Sequence, residues 1–221
     1  MDEPITSAKI GANIPYFRST RAHPTNMTNE DILRQVFQHV SGMSAEAFNL
    51  SEGMWHAKPF KKGELFNNYK NVCKEMGFIL EGTFRSYIID GETGEERNIF
   101  FFSKNGFVTA YKSFVNQIPC EYYTEALTDA HIVCINIANL QTLYKQSHEW
   151  ECFGRLAAER AATVVIERVE SFLLKSAEQR YVELIEAHPD LYERVPLYHI
   201  SSYLGIQGPS LSRIRKRLAG K

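Results

Sequence analysis

The residues best suited to bind phosphate groups lie together at the end of the chain. The final nine residues contain no acidic side chain and five basic ones: Arg213, Arg215, Lys216, Arg217 and Lys221. The whole chain of 221 residues has a formal net charge of −1, so the rest of it is acidic. A basic segment on an acidic body favours a partner that carries phosphates. The alternative is a basic tail that contacts only solvent.

The segment that leads into these cations predicts two short helices joined by a sharp turn. Apolar residues at helical spacing predict a buried face on each helix: Leu197, Ile200 and Leu204 on the first, and Leu211, Ile214 and Leu218 on the second. Gly205 can adopt the left-handed backbone that ends a helix, and Ile206 then enters the core. Pro209 suits the first turn of the second helix.

The face of the second helix opposite Leu218 carries polar and basic side chains. At about 100° per residue, Ser212, Arg213 and Lys216 lie on that face, and two further arginines flank it. A helix that enters the major groove needs side chains that reach base edges and cations that contact phosphates. We therefore predict that double-stranded DNA is a partner of the chain. The predicted DNA-binding residues are Ser210, Ser212, Arg213, Arg215, Lys216 and Arg217.

Upstream elements must position this helix pair. Residues 1–28 contain three prolines and no regular period, which predicts an irregular arm. Residues 29–148 begin with helical spacing and continue, from His56 to Asn136, as short apolar runs between turn signals. Strands at this density favour an antiparallel sandwich or barrel, and "IIDGETGEERNIF" predicts one of its hairpins. The sequence thus indicates an α+β fold.

One long helix is predicted for residues 149–175, ahead of a C-terminal domain at 176–221. Its apolar residues recur at steps near three and four and form one stripe. A narrow stripe of this length suits the seam of a homodimer, whereas the alternative is packing on the chain's own domain. The predicted seam consists of Phe153, Leu156, Ala161, Val164, Val165, Val169 and Phe172.

Composition excludes several other classes. The chain has no apolar run near 18 residues and no continuous apolar segment at its start, so neither a membrane partner nor a secretory signal is expected. The four cysteines form no C-x-x-C pair, which favours free thiols in the cytoplasm. The dispersed histidines exclude a local zinc signature, and no metal or other cofactor is predicted. A metal site whose ligands come from strands far apart in the sequence remains an open alternative.

The segment "HISSYLGIQGPSLSRIRKRL" resembles the DNA-binding end of the Crp–Fnr family of bacterial transcription regulators. Upstream, "KKGELF", "GFILEGTFRSYI", "DGETGEERNIFFF" and the long helix from Glu149 follow in the order of that family, over roughly residues 30–221. The resemblance implies a cyclic-nucleotide-binding-type, jelly-roll-like β-roll as sensor domain, a dimerisation helix and a C-terminal helix-turn-helix domain. It implies a homodimer on a two-fold symmetric DNA site, for which RNA polymerase is an expected further partner.

The sequence departs from the family at the cassette that binds the nucleotide phosphate. In nucleotide-binding members this cassette carries a Gly-Glu pair near its start and an Arg-Ser or Arg-Thr pair near its end. Those pairs fall here on Thr109-Ala110 and Cys120-Glu121. Losing a charged partner of a buried phosphate costs about 2–5 kcal/mol, so we predict no cyclic-nucleotide effector. The predicted effector pocket, for an unknown small molecule or none, is Thr109, Ala110, Tyr111, Cys120, Glu121 and Tyr122.

Two departures at the C-terminus leave other functions open. Pro209 stands where the family commonly has an acidic residue, so the usual base preference does not transfer, although Ser212-Arg213 matches the family pattern. The chain also ends three residues after Leu218, before the β-wing of many relatives. One alternative is therefore a sensor or scaffold module with a vestigial DNA-binding domain. A further alternative is a cupin-type metal enzyme, which the scattered histidines disfavour; no catalytic residue is predicted.

Overall fold

The computed structural model describes residues 27–187, 191 and 194–219. Residues 1–26, which make up most of the predicted N-terminal arm, lie outside the described part. The first described helix, α1 (Asn29–Ser41), begins with a capping box at Thr28. The Thr28 hydroxyl accepts from the Asp31 backbone N–H, and the Asp31 carboxylate accepts from the Thr28 backbone N–H. A short helix, α2 (Ala45–Asn49), follows.

Eight strands of the described chain form two four-stranded antiparallel sheets. The strands are β1 (His56–Phe60), β2 (Leu65–Asn67), β3 (Glu75–Glu81), β4 (Thr83–Ile89), β5 (Glu96–Ser103), β6 (Phe107–Val108), β7 (Tyr123–Ala126) and β8 (Ala130–Asn136). The first sheet has the order β1-β8-β3-β6 and the second β2-β7-β4-β5. The predicted hairpin is confirmed, since β4 pairs with β5 from Thr83↔Ser103 to Ile89↔Glu96.

A first hydrophobic core lies between and outside these sheets. On the inner faces, Phe60 of the first sheet and Phe84 of the second meet edge to face at 5.4 Å. On the outer face of the first sheet, Phe107 packs against Phe37 of α1, with ring centroids 6.0 Å apart. Alternation along each strand produces both contacts, because successive side chains point to opposite faces. These sheets confirm the α+β class with an antiparallel β-roll.

The β-roll is interrupted by α3 (Tyr111–Asn116) and followed by five described helices. They are α4 (Ile137–Gln146), α5 (His148–Leu174), α6 (Ala177–Ala187), α7 (Leu197–Leu204) and α8 (Gly208–Ala219). A second core joins α6, α7 and α8 to the roll. It unites Phe101 and Leu127 of the roll with residues such as Tyr203 and Leu211, all of them buried. No helix among the described residues is long and apolar enough to cross a membrane.

The long helix α5 buries one side and exposes an apolar stripe on another. Phe153, Ala161 and Val164 are buried in the chain, whereas Val165, Val169 and Phe172 are about half exposed. The expectation of a single apolar stripe is therefore wrong for Phe153, Ala161 and Val164, which pack inside their own chain. The helical period did not separate the two faces because they are adjacent around the helix.

Candidate nucleic-acid interface

The turn between α7 and α8 has the geometry expected from the sequence. Gly205 adopts the left-handed conformation, with φ 67° and ψ 33°. The Ile206 backbone N–H donates to the Ser201 carbonyl at 3.0 Å. A methyl group at position 205 would lie 2.9 Å from the Phe172 ring of α5. The turn thus requires glycine both for its backbone angle and for its close approach to the end of α5.

Helix α8 presents the face that the apolar spacing predicts. Leu211 and Ile214 are buried in the second core, and Leu218 packs against it. Arg213, together with Ser212, Lys216 and Arg217, is exposed. The buried and exposed positions follow the helical period, so the polar and basic side chains of this helix lie on the face opposite its apolar core contacts.

The individual cations of α8 have different surroundings. Arg213 donates to Ser210 Oγ, one turn earlier, at 3.2 Å. Arg217 forms an ion pair with Glu178 of α6. Arg215 and Lys216 line an open cleft that Tyr181 and Ser212 share. Arg217 must therefore leave a carboxylate to contact a phosphate, whereas Arg213 has only a hydroxyl to leave.

Two arginines hold the C-terminal end of α7 against its neighbours. The guanidinium of Arg168, on α5, stacks on the Tyr203 ring at 3.5 Å and donates to the Tyr203 carbonyl. Burial lowers the pKa of Arg168. Arg180, on α6, donates to the Leu204 carbonyl at 3.0 Å. These hydrogen bonds satisfy carbonyls that a helix end otherwise leaves without a partner. They also connect α7 to α5 and α6.

The opposite side of α7 docks on the β-roll through a buried arginine, Arg85 of β4. Its guanidinium is 2.6 Å from the Glu96 carboxylate and 2.7 Å from the Glu125 carboxylate. It also stacks on the Tyr87 ring at 3.9 Å. Burial disfavours the charged form of Arg85, but its bonds to the two glutamates outweigh this and raise its pKa.

His199 brings α7 into this network. Arg85 Nη1 lies 2.9 Å from His199 Nδ1, and Asn98 Nδ2 lies 3.2 Å from the same nitrogen. Burial, and next the charge of Arg85, lower the pKa of His199 to about 4. A neutral ring accepts through Nδ1, which agrees with two facing donors. Nearby, Ser202 accepts from the Asn98 backbone N–H at 3.0 Å and donates to the Glu96 carbonyl at 2.9 Å.

The sequence alone did not indicate these hydrogen bonds between α7 and β5. It also placed Leu197 on the buried face, whereas Leu197 is 37% exposed. Leu197 is the first residue of α7, and the polar His199 and Ser202 make polar contacts with the roll, so the apolar spacing did not mark the whole packed side of this helix. A lone arginine in the apolar segment "GFILEGTFRSYI" was the available signal, because a buried cation requires buried partners.

The residues of the predicted effector pocket are mostly closed off. Thr109, Ala110 and Cys120 are each at most 3% exposed. Cys120 Sγ donates to the Tyr122 carbonyl, and Thr109 Oγ1 donates to the Glu75 carbonyl at 3.0 Å. Burial raises the pKa of Tyr111 and of Cys120. These side chains pack together around α3 and leave almost no accessible space beside the three buried ones.

Glu121 differs from the other residues of that pocket. Its side chain is 72% exposed and forms an ion pair with Lys112 at 2.8 Å. A carboxylate inside the cassette would repel a bound phosphate. The structure directs the Glu121 carboxylate to solvent, so the missing cationic partner, rather than repulsion, is the stronger reason to expect weak nucleotide binding.

We expect the docking of α7 to weaken in acid. The unfolded chain, with a histidine pKa near 6.5, binds more protons than the folded chain, in which His199 titrates near 4. The stabilising contribution is complete above about pH 6.5 and is lost as the pH falls toward 4. Relative to His199→Gln, the wild type should lose about 1–3 kcal/mol of unfolding free energy between about pH 7 and pH 4.5.

Urea unfolding of both proteins across this pH range measures the difference. The exposed His131→Gln is the matched control and should follow the wild type. A constant difference between wild type and His199→Gln at every pH would show that His199 does not titrate in this way.

Comparison with known proteins identifies the fold. No family model and no curated protein sequence matches the chain. Among solved structures, FixK2 from Bradyrhizobium japonicum is similar with a TM-score of 0.65 and 15% identity, over 75% of this chain and 85% of that one. A double mutant of CooA from Carboxydothermus hydrogenoformans has a TM-score of 0.62 and 13% identity, over 83% and 84% of the two chains.

A third similar structure comes from Eubacterium rectale and is assigned to the Crp/Fnr family of transcriptional regulators. It has a TM-score of 0.62 and 16% identity, and the match covers 80% of this chain and 84% of that one. The match covers most of both chains in each case, which is more than the β-roll alone. The chain therefore has the fold of the Crp/Fnr regulators.

Proposed function

We propose that this protein is a dimeric, sequence-specific DNA-binding transcription regulator. The observation that carries the proposal is the facing of α8, which buries Leu211 and Ile214 and exposes Ser212, Arg213 and Lys216. Exposed donors on a helix that follows a tight turn can reach base edges in the major groove. In this proposal α8 is the recognition helix, and RNA polymerase is a further partner of the DNA-bound protein.

The exposed apolar stripe of α5 supports the proposal of a dimer, in which a second copy of this chain covers the stripe. Exposed residues recur at steps of four and three along the helix, at Ala158, Ala162, Val165, Val169 and Phe172. This is the spacing of a coiled-coil seam, which is self-complementary when two identical helices pair. The pairing would cover apolar side chains such as Ile166 and Leu173, which are 57% and 77% exposed in the single chain.

The β-roll is proposed as the sensor of a ligand other than a cyclic nucleotide. An alanine and a cysteine stand where nucleotide-binding members have the ribose-binding acid and the phosphate-binding arginine. Both side chains, Ala110 and Cys120, are buried by the chain's own packing. A cyclic nucleotide would have to open this packing without gaining a charged partner for its phosphate.

One observation favours the alternative of a scaffold with a vestigial DNA-binding domain. Glu95 and Glu96 line a cleft together with Gly208 and Pro209, at the start of α8. Glu96 is paired with Arg85, and Arg97 lines the same cleft, but the Glu95 carboxylate beside the start of α8 would weaken the attraction of this end of the helix for phosphates. The two candidates are separated by titrating the protein with selected and scrambled duplexes, because only the regulator selects sites.

The cations of α8 are expected to have separate roles. Arg213→Ala should cost about 1–3 kcal/mol of binding free energy and relax the preference at one base pair per half-site. Arg217→Ala should weaken all sequences about equally and lower the salt slope by about one unit per contact removed. Titration of selected and scrambled duplexes at several salt concentrations measures both. If Arg213→Ala weakens both duplexes alike while Arg217→Ala changes the preferred base, α8 presents a different face to DNA.

We expect the dimer to dissociate when a charged residue is introduced into the proposed seam. Val165→Glu puts carboxylates of both copies at the proposed interface and should yield monomers or aggregates in light scattering. Thr163→Glu is the matched control, since Thr163 is exposed on another side of α5 and should leave the dimer intact. A clean dimer of Val165→Glu would place the interface elsewhere.

Cyclic nucleotides are expected not to bind with useful affinity. Calorimetry with cyclic AMP and cyclic GMP should show no binding tighter than about millimolar, which corresponds to roughly 4 kcal/mol. The reason is the loss of a charged partner for the phosphate at Cys120. Binding in the micromolar range would contradict the expectation.

A further inference from the structure

Three side chains with different metal-binding atoms meet on the first sheet. His56 belongs to β1, Cys134 to β8 and Glu75 to β3, and these strands lie side by side in the order β1-β8-β3. His56 and Cys134 are direct cross-strand partners, and Glu75 is paired with Asn136, two residues beyond Cys134. Because side chains alternate along a strand, all three share one face of the sheet.

The ligand atoms of this group are close enough to share one ion. The histidine nitrogen, the carboxylate oxygen and the thiol sulfur all lie within 4.8 Å of one another. His56 Nε2 is 2.9 Å from Glu75 Oε1. Around a tetrahedral zinc ion, with metal–ligand distances of about 2.0–2.3 Å, ligand atoms are separated by about 3.3–3.7 Å. Small side-chain rotations thus suffice to bring the three atoms to those separations.

The surroundings combine a protected thiol with access from solvent. Cys134 is fully buried, whereas the side chains of His56 and Glu75 are 48% and 26% exposed. Glu75 and Asn136 also line an open cleft at this end of the roll, which provides an entry path. On the other side of Cys134 stands Gly77, where an added methyl group would lie 3.3 Å from the sulfur. The Ile132 and Val108 side chains also approach this position, so a side chain at position 77 would clash with Ile132 and crowd Cys134.

The charges of the group suit a divalent ion. Glu75 now holds two cationic or polar donors, His56 on one oxygen and the Lys58 ammonium at 3.0 Å on the other. Lys58 is 41% exposed and can move into solvent. A divalent ion bound to a thiolate, a carboxylate and a neutral imidazole forms a site with no net charge. Mixed nitrogen, oxygen and sulfur ligands select zinc-like transition metals over Mg²⁺ and Ca²⁺.

We propose that His56, Glu75 and Cys134 form a binding site for a Zn²⁺-type transition metal, with a fourth position open to water or another ligand. Ligands from strands far apart in sequence explain why local spacing did not reveal this site. The site is independent of the proposed DNA-binding function. It would join three strands of the first sheet, and Glu75 contacts the start of α3 through Thr109.

Cobalt is a suitable probe because Co²⁺ takes zinc sites and absorbs visible light. Co²⁺ is titrated into the metal-free, full-length protein, and the d–d absorption and the thiolate-to-cobalt charge-transfer band are recorded. We expect one Co²⁺ per chain with both features, and their loss when Zn²⁺ is added. Cys134→Ser should lose the charge-transfer band. Cys152→Ser, which changes a thiol on α5, is the matched control and should keep it.

A second variant keeps the test decisive if Cys134→Ser fails to fold. His56→Gln changes a half-exposed residue, so the fold should survive, as far-ultraviolet circular dichroism can verify. Its Co²⁺ affinity should fall at least about tenfold, with the charge-transfer band retained at saturation. The proposal is overturned if the wild type shows no charge-transfer band, if the band survives Cys134→Ser, or if His56→Gln binds Co²⁺ as tightly as the wild type.

Discussion

The position of the candidate DNA-binding helices depends on one buried cation. Arg85 is only 4% exposed, and its partners come from β5, β7 and α7. A guanidinium removed from water is tolerated only with close carboxylates and further acceptors, and removing one partner of such a group costs about 3–5 kcal/mol. Because His199 is one of these partners, the orientation of α7 on the roll follows from the charge that Arg85 must keep satisfied.

The orientation of α8 depends on the orientation of α7. The turn at Gly205 sets the angle between them, and the second core holds their apolar sides together. Helix α5 contacts both regions of the chain: its first half packs on the roll through Phe153, and its last turns contact α7 and the turn through Arg168 and Phe172. The roll is thus connected to the α7–α8 pair by two sets of contacts, one through β5 and one through α5.

The part of the roll around α3 is held together by packing. Ala110 and Cys120 are buried there, and Ser113 donates to the Ile118 carbonyl. Apolar and thiol side chains stabilise such a region through burial and contact, without a bound ion to offset charge. The side-chain atoms proposed to bind a metal, those of His56, Glu75 and Cys134, lie together on the first sheet, close to the open cleft.

The sequence by itself determined the features that depend on local period and backbone preference. These include the antiparallel strands, the left-handed turn at Gly205 and the exposed face of α8. Apolar spacing indicates which face of a helix or strand is buried, and glycine indicates where the backbone can adopt a positive φ. Only the tertiary structure decided which elements meet. The contact between Arg85 and His199 spans 114 positions of the chain, and His56 reaches Cys134 across neighbouring strands. The same holds for α5, where Val164 is buried and Val165 is exposed, because periodicity gives the angle of a side chain around its helix but not the neighbour that covers it.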